Sequence, residues 1–579
     1  MHSSFPKPSP VFIAGVIGSL FHCCSHASHT VATPELEWTA YRIRENVAAS
    51  LNEDAGWAAE TNQSARIRYD TPFRIRFEVQ STSQAPFSGE LRLQYRKEMG
   101  AWKMAGLSDF PYPRYATPDV SIIAKSPYAY GEETEDLLRV ATRPHEEGIG
   151  LKALQATPLF HLGDESTEWE WPLVIRRFYD GAGFNEDDIK FDIRVVDGAG
   201  RPISGLQPIE VTGHAAPGHL GGTFIETPGR IGPYQDSDGR LYFPMEPSET
   251  FNRFMVVASD DHGVSWREVD GAGRPSIGDL EGVGSVFEDG IIHIVHQTSD
   301  EVLYHAFATA DSKHGRDGWI VDSQIIARPS EPPTQTAAMT SRQDGQLLVA
   351  YGSESGGFLH LSGDDLGWKD RPINLETEDV TGLSGFQLAT GADGNSFVVF
   401  TAGDGSGWMR ILDTEGRLSD PLLISRGLGA EETENGAILP IIALPSGGAL
   451  VVYRKDDGSL WECVWKNQDG FSPARPIPGP AVVSGAVDSD QVGADAIELE
   501  GKIHLLFIDE ATRSINYAQR ALEGEWSSAV TLIDGINAAW VRGNGIKNEK
   551  GEMVYGFVYD AGSLGGAGMN RFDAVPVQD

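Results

Sequence analysis

Cysteine is nearly absent from this chain. Of its 579 residues only three are cysteines, Cys23, Cys24 and Cys463. The first two lie in a segment that we expect to be removed from the mature protein. One cysteine then remains, so no intrachain disulfide can form. An exported protein of this kind must be stabilised by core burial, and this chain is long enough to provide it.

No hydrophobic run of the sequence is long enough to anchor the chain in a membrane. The apolar stretch at residues 11–21 follows Lys7 and precedes the small-residue exit Ser25-His26-Ala27. This order is typical of a secretory signal peptide, which we place at residues 1–27. The residues before Cys23 lack the small side chains that precede a lipidated cysteine. The sequence therefore predicts a secreted or periplasmic protein without a membrane anchor.

Basic residues are few. The chain has 46 Lys and Arg against 83 Asp and Glu, a formal net charge of −37 at pH 7. This balance disfavours nucleic acids and anionic membranes as partners. An anionic ligand would need a local cluster of arginines, because fields are screened beyond about 10 Å at 0.1 M salt.

The chain does contain a repeat. Tight turns that end in glycine recur 49 to 55 residues apart, at Gly239, Gly290, Gly345, Gly394, Gly447, Gly501 and Gly551. A short apolar segment follows each turn, which indicates a strand buried on both faces. This pattern predicts a seven-bladed β-propeller over residues 225–579. The start of the first strand and the end of the second strand of each blade share one rim, where we expect the functional site.

The residues before the repeat have a different pattern. Apolar and polar residues alternate at 73–79, 91–95 and 191–195, which predicts half-buried antiparallel sheet and, over residues 35–210, a β-sandwich. We interpret residues 211–224 as a linker because of their glycine content. His214 and His219 lie there without a third ligand, so we predict no metal site, and no cofactor motif is present.

One turn of the first repeat carries a family resemblance. Its sequence is Ser259-Asp260-Asp261-His262-Gly263-Val264-Ser265-Trp266. It resembles the Asp-box of the sialidase (neuraminidase, BNR-repeat) superfamily, and the chain would be a divergent member. In that family the Asp accepts backbone N–H bonds, the Gly takes a positive φ and the Trp packs between strands. The resemblance implies a structural role for this turn, on the rim opposite the expected site.

The resemblance also implies a cluster of arginines. Arg230-Ile231-Gly232-Pro233, the turn at Gly239 and the box follow the order of a sialidase first blade. Arg230 would then be the first carboxylate-binding arginine, with Arg454 similar to the second and Arg513 to the third. Three planar guanidinium groups can converge on one carboxylate. Alternatively, the three arginines make unrelated surface salt bridges.

The catalytic residues of the family are less well matched. In sialidases a tyrosine activated by a glutamate attacks the anomeric carbon, and a separate acid assists departure of the leaving group. The tyrosine position falls on Arg542, which we expect to assist anion binding. Tyr559 or Tyr453 would have to replace the nucleophile. Glu249 is available as the acid, and Glu434 lies near the position of the activating glutamate.

Two other classes of function remain open. A polysaccharide lyase would use the arginines to neutralise a uronate and a His or Tyr to abstract the α proton. His296, Tyr351 and Tyr453 share one offset from their turn glycines and are candidates, although they could simply be packing residues. A non-catalytic glycan-binding propeller would stack sugars on Trp408 and Trp461. The sequence favours a sialidase-like hydrolase of glycans that carry sialic or uronic acid.

Overall fold

The computed structural model describes residues 35–45, 49–83, 86–108, 119–124, 126–177, 188–221, 229–245, 254–270, 274–275, 282–298, 300–312, 318–329, 336–353, 356–363, 366–428, 438–467, 469–482, 493–538, 540–561 and 570–577. Within these ranges the chain is all-β, as predicted, and its one helix, α1 (Thr309–Ser312), is a single turn. None of the helical structure in these ranges has the length and apolarity needed to cross a bilayer.

Fourteen strands of the described ranges precede the repeats. They are β1 (Leu36–Glu45), β2 (Ala65–Arg68), β3 (Phe73–Ser81), β4 (Phe87–Gly89), β5 (Leu91–Lys97), β6 (Lys103–Met104), β7 (Gly106–Ser108), β8 (Val120–Ile123), β9 (His145–Glu146), β10 (Phe160–Leu162), β11 (Ser166–Ile175), β12 (Ile189–Asp197), β13 (Ser204–Gly205) and β14 (Ile209–His214).

These strands form two main sheets that share one core. The first sheet has the order β13-β1-β3-β11-β8-β7, with β9 beside β11, and the second has the order β2-β14-β12-β5-β6. Strands β4 and β10 form a small additional pair. Inward side chains of both sheets, among them Phe77, Trp171, Tyr95 and Phe191, belong to one buried cluster. The alternation in the sequence produces this arrangement because every second side chain of a strand points to the same face.

The other face of the first sheet carries charges that are also buried. This buried ion layer consists of Arg44, Arg74, Arg76, Glu78, Glu168 and Glu170, each 0 % exposed. Glu170 Oε1 lies 3.0 Å from Arg74 Nη1. Its Oε2 lies 3.3 Å from guanidinium nitrogens of Arg44 and Arg76, and Arg76 also binds Glu168. Buried charges are tolerated only when paired in this way, so the layer depends on Glu170.

The remaining strands run through the repeats. They are β15 (His219–Gly221), β16 (Tyr234–Gln235), β17 (Leu241–Met245), β18 (Met255–Ser259), β19 (Arg267–Glu268), β20 (Val283–Glu288), β21 (Ile291–Gln297), β22 (Val302–Ala308), β23 (Trp319–Ala327), β24 (Ala337–Ser341), β25 (Leu347–Ser353), β26 (Gly356–Leu361), β27 (Ile373–Asn374), β28 (Ser384–Thr390), β29 (Ser396–Thr401), β30 (Gly407–Leu412), β31 (Leu422–Ser425), β32 (Ile442–Ala443), β33 (Ala449–Arg454), β34 (Leu460–Lys466), β35 (Gly470–Phe471), β36 (Arg475–Pro476), β37 (Ala494–Leu499), β38 (Lys502–Ile508), β39 (Ile515–Ala521), β40 (Val530–Ile533), β41 (Val541–Lys547), β42 (Met553–Asp560) and β43 (Asn570–Pro576).

In the described ranges these strands form seven consecutive antiparallel sheets, β16–β19, β20–β23, β24–β27, β28–β31, β32–β36, β37–β40 and β41–β43 with β15. The first strands of neighbouring sheets contact each other around a ring. Tyr234 Oη and Ser285 Oγ, 2.8 Å apart, join the first two sheets, and Gln235 Nε2 donates to Lys547 O at 2.8 Å to close the ring. Sheets stacked radially in this way make a β-propeller.

Glycine turns join the first and second strands of the sheets. All seven glycines predicted from the repeat have positive φ, between 78° and 86°. A positive φ is strained for residues with a Cβ atom, which explains why glycine recurs there. The predicted second strands follow these turns within the sheets.

The structure differs from the predicted linker at 211–224. Strand β14 continues to His214, and β15 occupies His219–Gly221. A Cβ atom on Gly213 would lie 2.2 Å from the Tyr69 ring. The glycine therefore permits close packing within a sheet, and composition alone did not distinguish this from a flexible connection.

The Ser259–Trp266 turn has the bonding expected of its sequence. Asp261 Oδ1 accepts the Ser265 N–H at 2.8 Å, and its Oδ2 accepts the Ser265 hydroxyl at 2.6 Å. These hydrogen bonds help to hold the pKa of Asp261 below its usual value. Gly263 has φ 91°, and Trp266 Nε1 donates to Gly263 O at 3.0 Å. Hydrogen bonds among its own residues therefore fix the conformation of this turn.

A buried contact joins the N-terminal sheets to the ring. Arg177 Nη2 donates to Trp266 O at 2.7 Å, and Nη1 donates to His219 O. His219 Nε2 lies 3.0 Å from Asp70 Oδ2. Burial lowers the pKa of His219. His219 therefore has a buried structural partner in Asp70.

Two ring sheets contain the same buried histidine–tyrosine pair. His293 Nδ1 lies 2.7 Å from Tyr304 Oη, and His504 Nδ1 lies 2.7 Å from Tyr517 Oη. Burial lowers the pKa of His293 from 6.5 to about 4. The neutral imidazole is therefore the form that the folded protein stabilises.

We expect His293 to make the fold sensitive to acid. Above pH 6.5 the imidazole is neutral in both the folded and the unfolded chain, so the contribution of His293 to the free energy of unfolding is fully present. As the pH falls towards 4, the unfolded chain gains a proton that the folded chain does not, and stability decreases by about 3 kcal/mol. Urea unfolding of His293→Gln across this range should show a smaller decrease, whereas His161→Gln, at an exposed position, should behave as wild type. Equal pH profiles for the His293 variant and wild type would contradict this.

Candidate functional site

The rim predicted to carry the site begins with Arg230, which precedes β16. Gly229 allows this segment to approach the next sheet, because a Cβ atom there would lie 2.8 Å from Val283 O. Arg230 O accepts the Ser285 N–H at 2.7 Å. The backbone of Arg230 is thereby fixed against the second sheet, and its side chain extends to the seventh and sixth sheets on the other side of its own sheet.

Arg230, Asp495, Arg542 and Tyr555 come together where the sixth, seventh and first sheets of the ring meet, and we call them the Arg230 group. Arg230 Nη2 donates to Ala496 O at 2.9 Å and lies 3.7 Å from Asp495 Oδ1. Asp495 Oδ2 accepts the Gly543 N–H at 2.7 Å and the Tyr555 hydroxyl at 3.0 Å. Asp495 is 0 % exposed, whereas the Arg230 side chain is 27 % exposed. Arg230 is thus the member that reaches solvent.

Arg542 is the buried member of the group that hydrogen-bonds to the backbone beside Arg230. It is 0 % exposed, and its Nε donates to Gly229 O at 3.1 Å. Burial lowers the pKa of Arg542, while the nearby Asp495 carboxylate opposes this shift. Burial and the same carboxylate raise the pKa of the Tyr555 hydroxyl well above its usual value. The group therefore contains two guanidinium groups, one carboxylate and one neutral phenol.

Arg454 and Arg513 lie elsewhere on the rim. Arg454 is 8 % exposed and donates from Nε to Val482 O at 2.6 Å. Arg513 is half-buried in the loop that starts at Asp509, with φ 58°. Among the described residues, neither arginine forms an ion pair or hydrogen bond with Arg230. The structure thus brings together Arg230 and Arg542, whereas Arg454 hydrogen-bonds to Val482 O and the backbone carbonyl of Arg513 accepts the Ala538 N–H.

The candidate tyrosines are buried. Tyr453 is 1 % exposed and Tyr559 is 5 % exposed. Burial raises the pKa of Tyr453 and raises the pKa of Tyr559 to about 12. Burial likewise raises the pKa of Tyr351 to about 12. All three phenols are protonated at neutral pH, so none is activated by its described surroundings.

His296 is 0 % exposed and lies among aromatic rings. Its ring centroid is 5.8 Å from that of Phe254 and 6.2 Å from that of His305. Burial and His296 together lower the pKa of His305 well below its usual value. Within the part of the chain that the structure describes, these rings form a packed and buried cluster.

The other predicted residues have mixed placements. Trp408 and Trp461 are half-buried, and their indole N–H groups donate to Ser406 Oγ at 2.6 Å and Ser459 Oγ at 2.9 Å. Glu249 and Glu434 lie outside the described residues. Their assignment as proton-transfer residues therefore stays a prediction.

Sequence reasoning missed Asp495 and Tyr555. Asp495 interrupts the otherwise apolar start of β37, Ala-Asp-Ala-Ile. A charged residue in a strand that is buried on both faces needs a partner. That signal was available in the sequence, but the partners of Asp495 on the seventh and first sheets were not.

One set of carboxylates within the described ranges has the spacing of a metal site. Ligand atoms of Glu78, Asp136 and Glu168 all lie within 4.8 Å of one another. They belong to the N-terminal sheets, and Arg76 already binds Glu168. A guanidinium group thus supplies the neutralising charge, and we assign no metal there.

No protein-family model matches this chain, and no curated protein matches it. Similar solved structures include a mutant of the Aleuria aurantia lectin in complex with α-methyl-L-fucoside, 10 % identical over 54 % of this chain and 97 % of that chain, with a TM-score of 0.37. A polysaccharide lyase, described as an ulvan lyase, is 11 % identical over 62 % and 95 % of the two chains, with a TM-score of 0.39. AofleA from Arthrobotrys oligospora is 10 % identical over 62 % and 96 %, with a TM-score of 0.35. TM-scores this low establish no function for this chain.

Proposed function

We propose that this chain is an exported, carbohydrate-active protein built from a β-sandwich domain and a seven-bladed propeller. The two N-terminal sheets with their common core support the sandwich, and the seven consecutive sheets support the blade number. The domain limits proposed are those predicted from the sequence, 35–210 and 225–579, extended at their junction by β14 to His214 and by β15 from His219. Export rests on the signal peptide predicted at residues 1–27.

We propose further that the propeller binds the carboxylate of a sialic or uronic acid at the Arg230 group. One observation carries this proposal: the group has two guanidinium groups against one carboxylate, and Arg230 reaches solvent. In a chain of net charge −37, such a local excess of positive charge is what an anionic sugar requires. The likeness of the first repeat to a sialidase blade supports the same role for Arg230.

The proposed activity is sialidase-like hydrolysis. It requires an acid that protonates the leaving oxygen and a nucleophile or activated water. We give these roles to Glu249 as the acid and Glu434 as the base. Tyr559 or Tyr453 would act as nucleophile only if a base took its proton, because each hydroxyl is protonated at neutral pH.

Incubation of the mature chain with sialosides and uronate polysaccharides tests this activity. We expect released reducing sugar without new ultraviolet absorbance, and a loss of about a hundredfold or more in rate for Glu434→Gln or Glu249→Gln. New absorbance from unsaturated uronates would instead mean β-elimination. It would contradict hydrolysis and favour the lyase hypothesis with His296 and Tyr453.

The second candidate function is glycan binding without catalysis. It is favoured by the burial of every described candidate for proton transfer, since His296, Tyr453 and Tyr559 are at most 5 % exposed. Calorimetry that shows carboxylate-dependent binding, together with no turnover of any substrate in the panel, would support this function over hydrolysis.

A further inference from the structure

The outer face of the second N-terminal sheet has an unusual pair of arginines. On β5 and β12 alternate residues point into the core, while Gln94, Arg96, Asp192 and Arg194 point outwards. Arg194 is paired in register with Gln94, and Asp192 is paired with Arg96. The two guanidinium groups therefore lie on one face of neighbouring strands.

Trp102 holds the two guanidinium groups near each other. The Cζ atom of Arg194 lies 3.8 Å from the centroid of the Trp102 ring, and that of Arg96 lies 4.8 Å from it. Stacking on indole fixes the plane of a guanidinium group and leaves its N–H edge available for a ligand. The half-buried Trp102 thus orients two fork-shaped donors.

The charge of Arg194 is not neutralised within the part of the chain that the structure describes. Arg96 Nε donates to Asp192 Oδ2 at 2.7 Å. Arg194 instead donates from Nε at 3.0 Å and from Nη2 at 2.7 Å to the neutral oxygen Oε1 of Gln94. Burial, followed by repulsion from Arg96, lowers the pKa of Arg194. The nearby positive charge thus adds repulsion that an anionic ligand would relieve.

The other basic residues of this face show that Arg194 is distinct. Arg66 pairs with Asp188 at 2.6 Å, Lys190 pairs with Glu210 at 3.1 Å, and Arg92 pairs with Glu90. Local carboxylates satisfy these three side chains. By contrast, Nη1 of Arg194 and both Nη atoms of Arg96 have no acceptor among the described residues, although each can donate hydrogen bonds.

We propose that Arg96, Trp102 and Arg194 form a second anion-binding site, which holds a carboxylate of an acidic polysaccharide outside the propeller. The chemistry is a paired guanidinium–carboxylate contact with an aromatic ring beside it, which suits a uronate residue of a polymer. The inference deepens the proposed function and rests on it for the choice of an acidic glycan. Its role is to retain the polymer while the propeller binds a terminal or neighbouring sugar.

Affinity electrophoresis of the full chain in gels that contain polygalacturonate tests the site. We expect wild type to be retarded. Arg194→Gln should bind the polymer at least roughly tenfold more weakly, because one charge-assisted contact is lost. Arg194→Lys keeps the charge but not the fork and should recover part of the affinity. The matched control is Arg201→Gln, since Arg201 is 80 % exposed and paired with Asp197; it should migrate as wild type.

Four results would overturn the inference. Equal retardation of wild type and Arg194→Gln, or no retardation of wild type, would show that the face does not hold the polymer. Retardation by dextran sulfate but not by polygalacturonate would contradict the carboxylate assignment.

The variant Arg230→Ala distinguishes binding at this site from binding at the ring. If it alone abolishes retardation, the polymer binds only at the Arg230 group, and the proposed function stands without the second site. If it keeps retardation but no small acidic sugar binds wild type, the second site stands and the proposed function fails.

Discussion

Arg230→Ala should weaken binding of a free sialic or uronic acid by roughly ten- to a hundredfold. The guanidinium group is 27 % exposed and is the solvent-facing member of a group with excess positive charge. A hydrogen bond to a charged partner contributes about 1.5–3 kcal/mol, which corresponds to this range of affinity. Isothermal calorimetry with the free acid, at low and at physiological salt, measures the effect directly.

The control for this variant lies on the opposite rim. Arg267→Ala removes an arginine that is 58 % exposed and paired with Asp260 at 2.8 Å, so the net charge changes equally while the Arg230 group is untouched. Sugar affinity should be as in wild type. If the two variants lose affinity equally, the loss reflects net charge, and the assignment of Arg230 is wrong. Arg230→Lys should retain part of the affinity because the charge is kept.

Glu170→Gln should reduce the free energy of unfolding by about 3–5 kcal/mol. Glu170 contacts Arg44, Arg74 and Arg76 in the buried ion layer. The substitution preserves the volume of the side chain but removes its negative charge. Of the two carboxylates that remain in the layer, Glu168 already binds Arg76 and Glu78 accepts a hydrogen bond from Thr39. Denaturation in guanidinium chloride, followed by fluorescence, gives the change in midpoint.

An exposed glutamate of the same sheets provides the comparison. Glu60 is 86 % exposed and pairs with Arg42 at 3.3 Å, so Glu60→Gln should change the free energy of unfolding by less than about 1 kcal/mol. A similarly small effect of Glu170→Gln would mean that water reaches the layer and screens its charges. That result would contradict the burial described for these residues.

More of the fold could be predicted from the sequence for the ring than for the N-terminal sheets. The glycine turns recur because the backbone needs positive φ at Gly239, Gly290 and their counterparts, and this requirement is visible in the sequence. The buried ion layer was not predicted. Alternation identified Arg74, Arg76 and Glu78 as one face of a strand, but it does not tell whether a loop covers that face.

The candidate site was only partly predictable for a related reason. Arg230 and Arg542 were both selected from the sequence, and the structure brings them together around Asp495. Arg454 was expected beside them but bonds to Val482 O at another junction. Counting residues from a turn gives the position of a residue along its own strand. It does not fix which way a long side chain extends between sheets, because neighbouring side chains decide that.

Closure of the ring has a consequence for synthesis of the protein. Strand β15 pairs with β43, and His219 lies opposite Arg571, 352 positions later in the chain. At about 5–20 residues per second, a ribosome needs roughly 20 to 70 seconds to make that stretch. During this time β15 has no partner strand. The first strands of the ring then have exposed apolar edges, which can pair with the wrong strand. We therefore expect chaperone dependence to be greatest late in translation, after most of the sheets have been made.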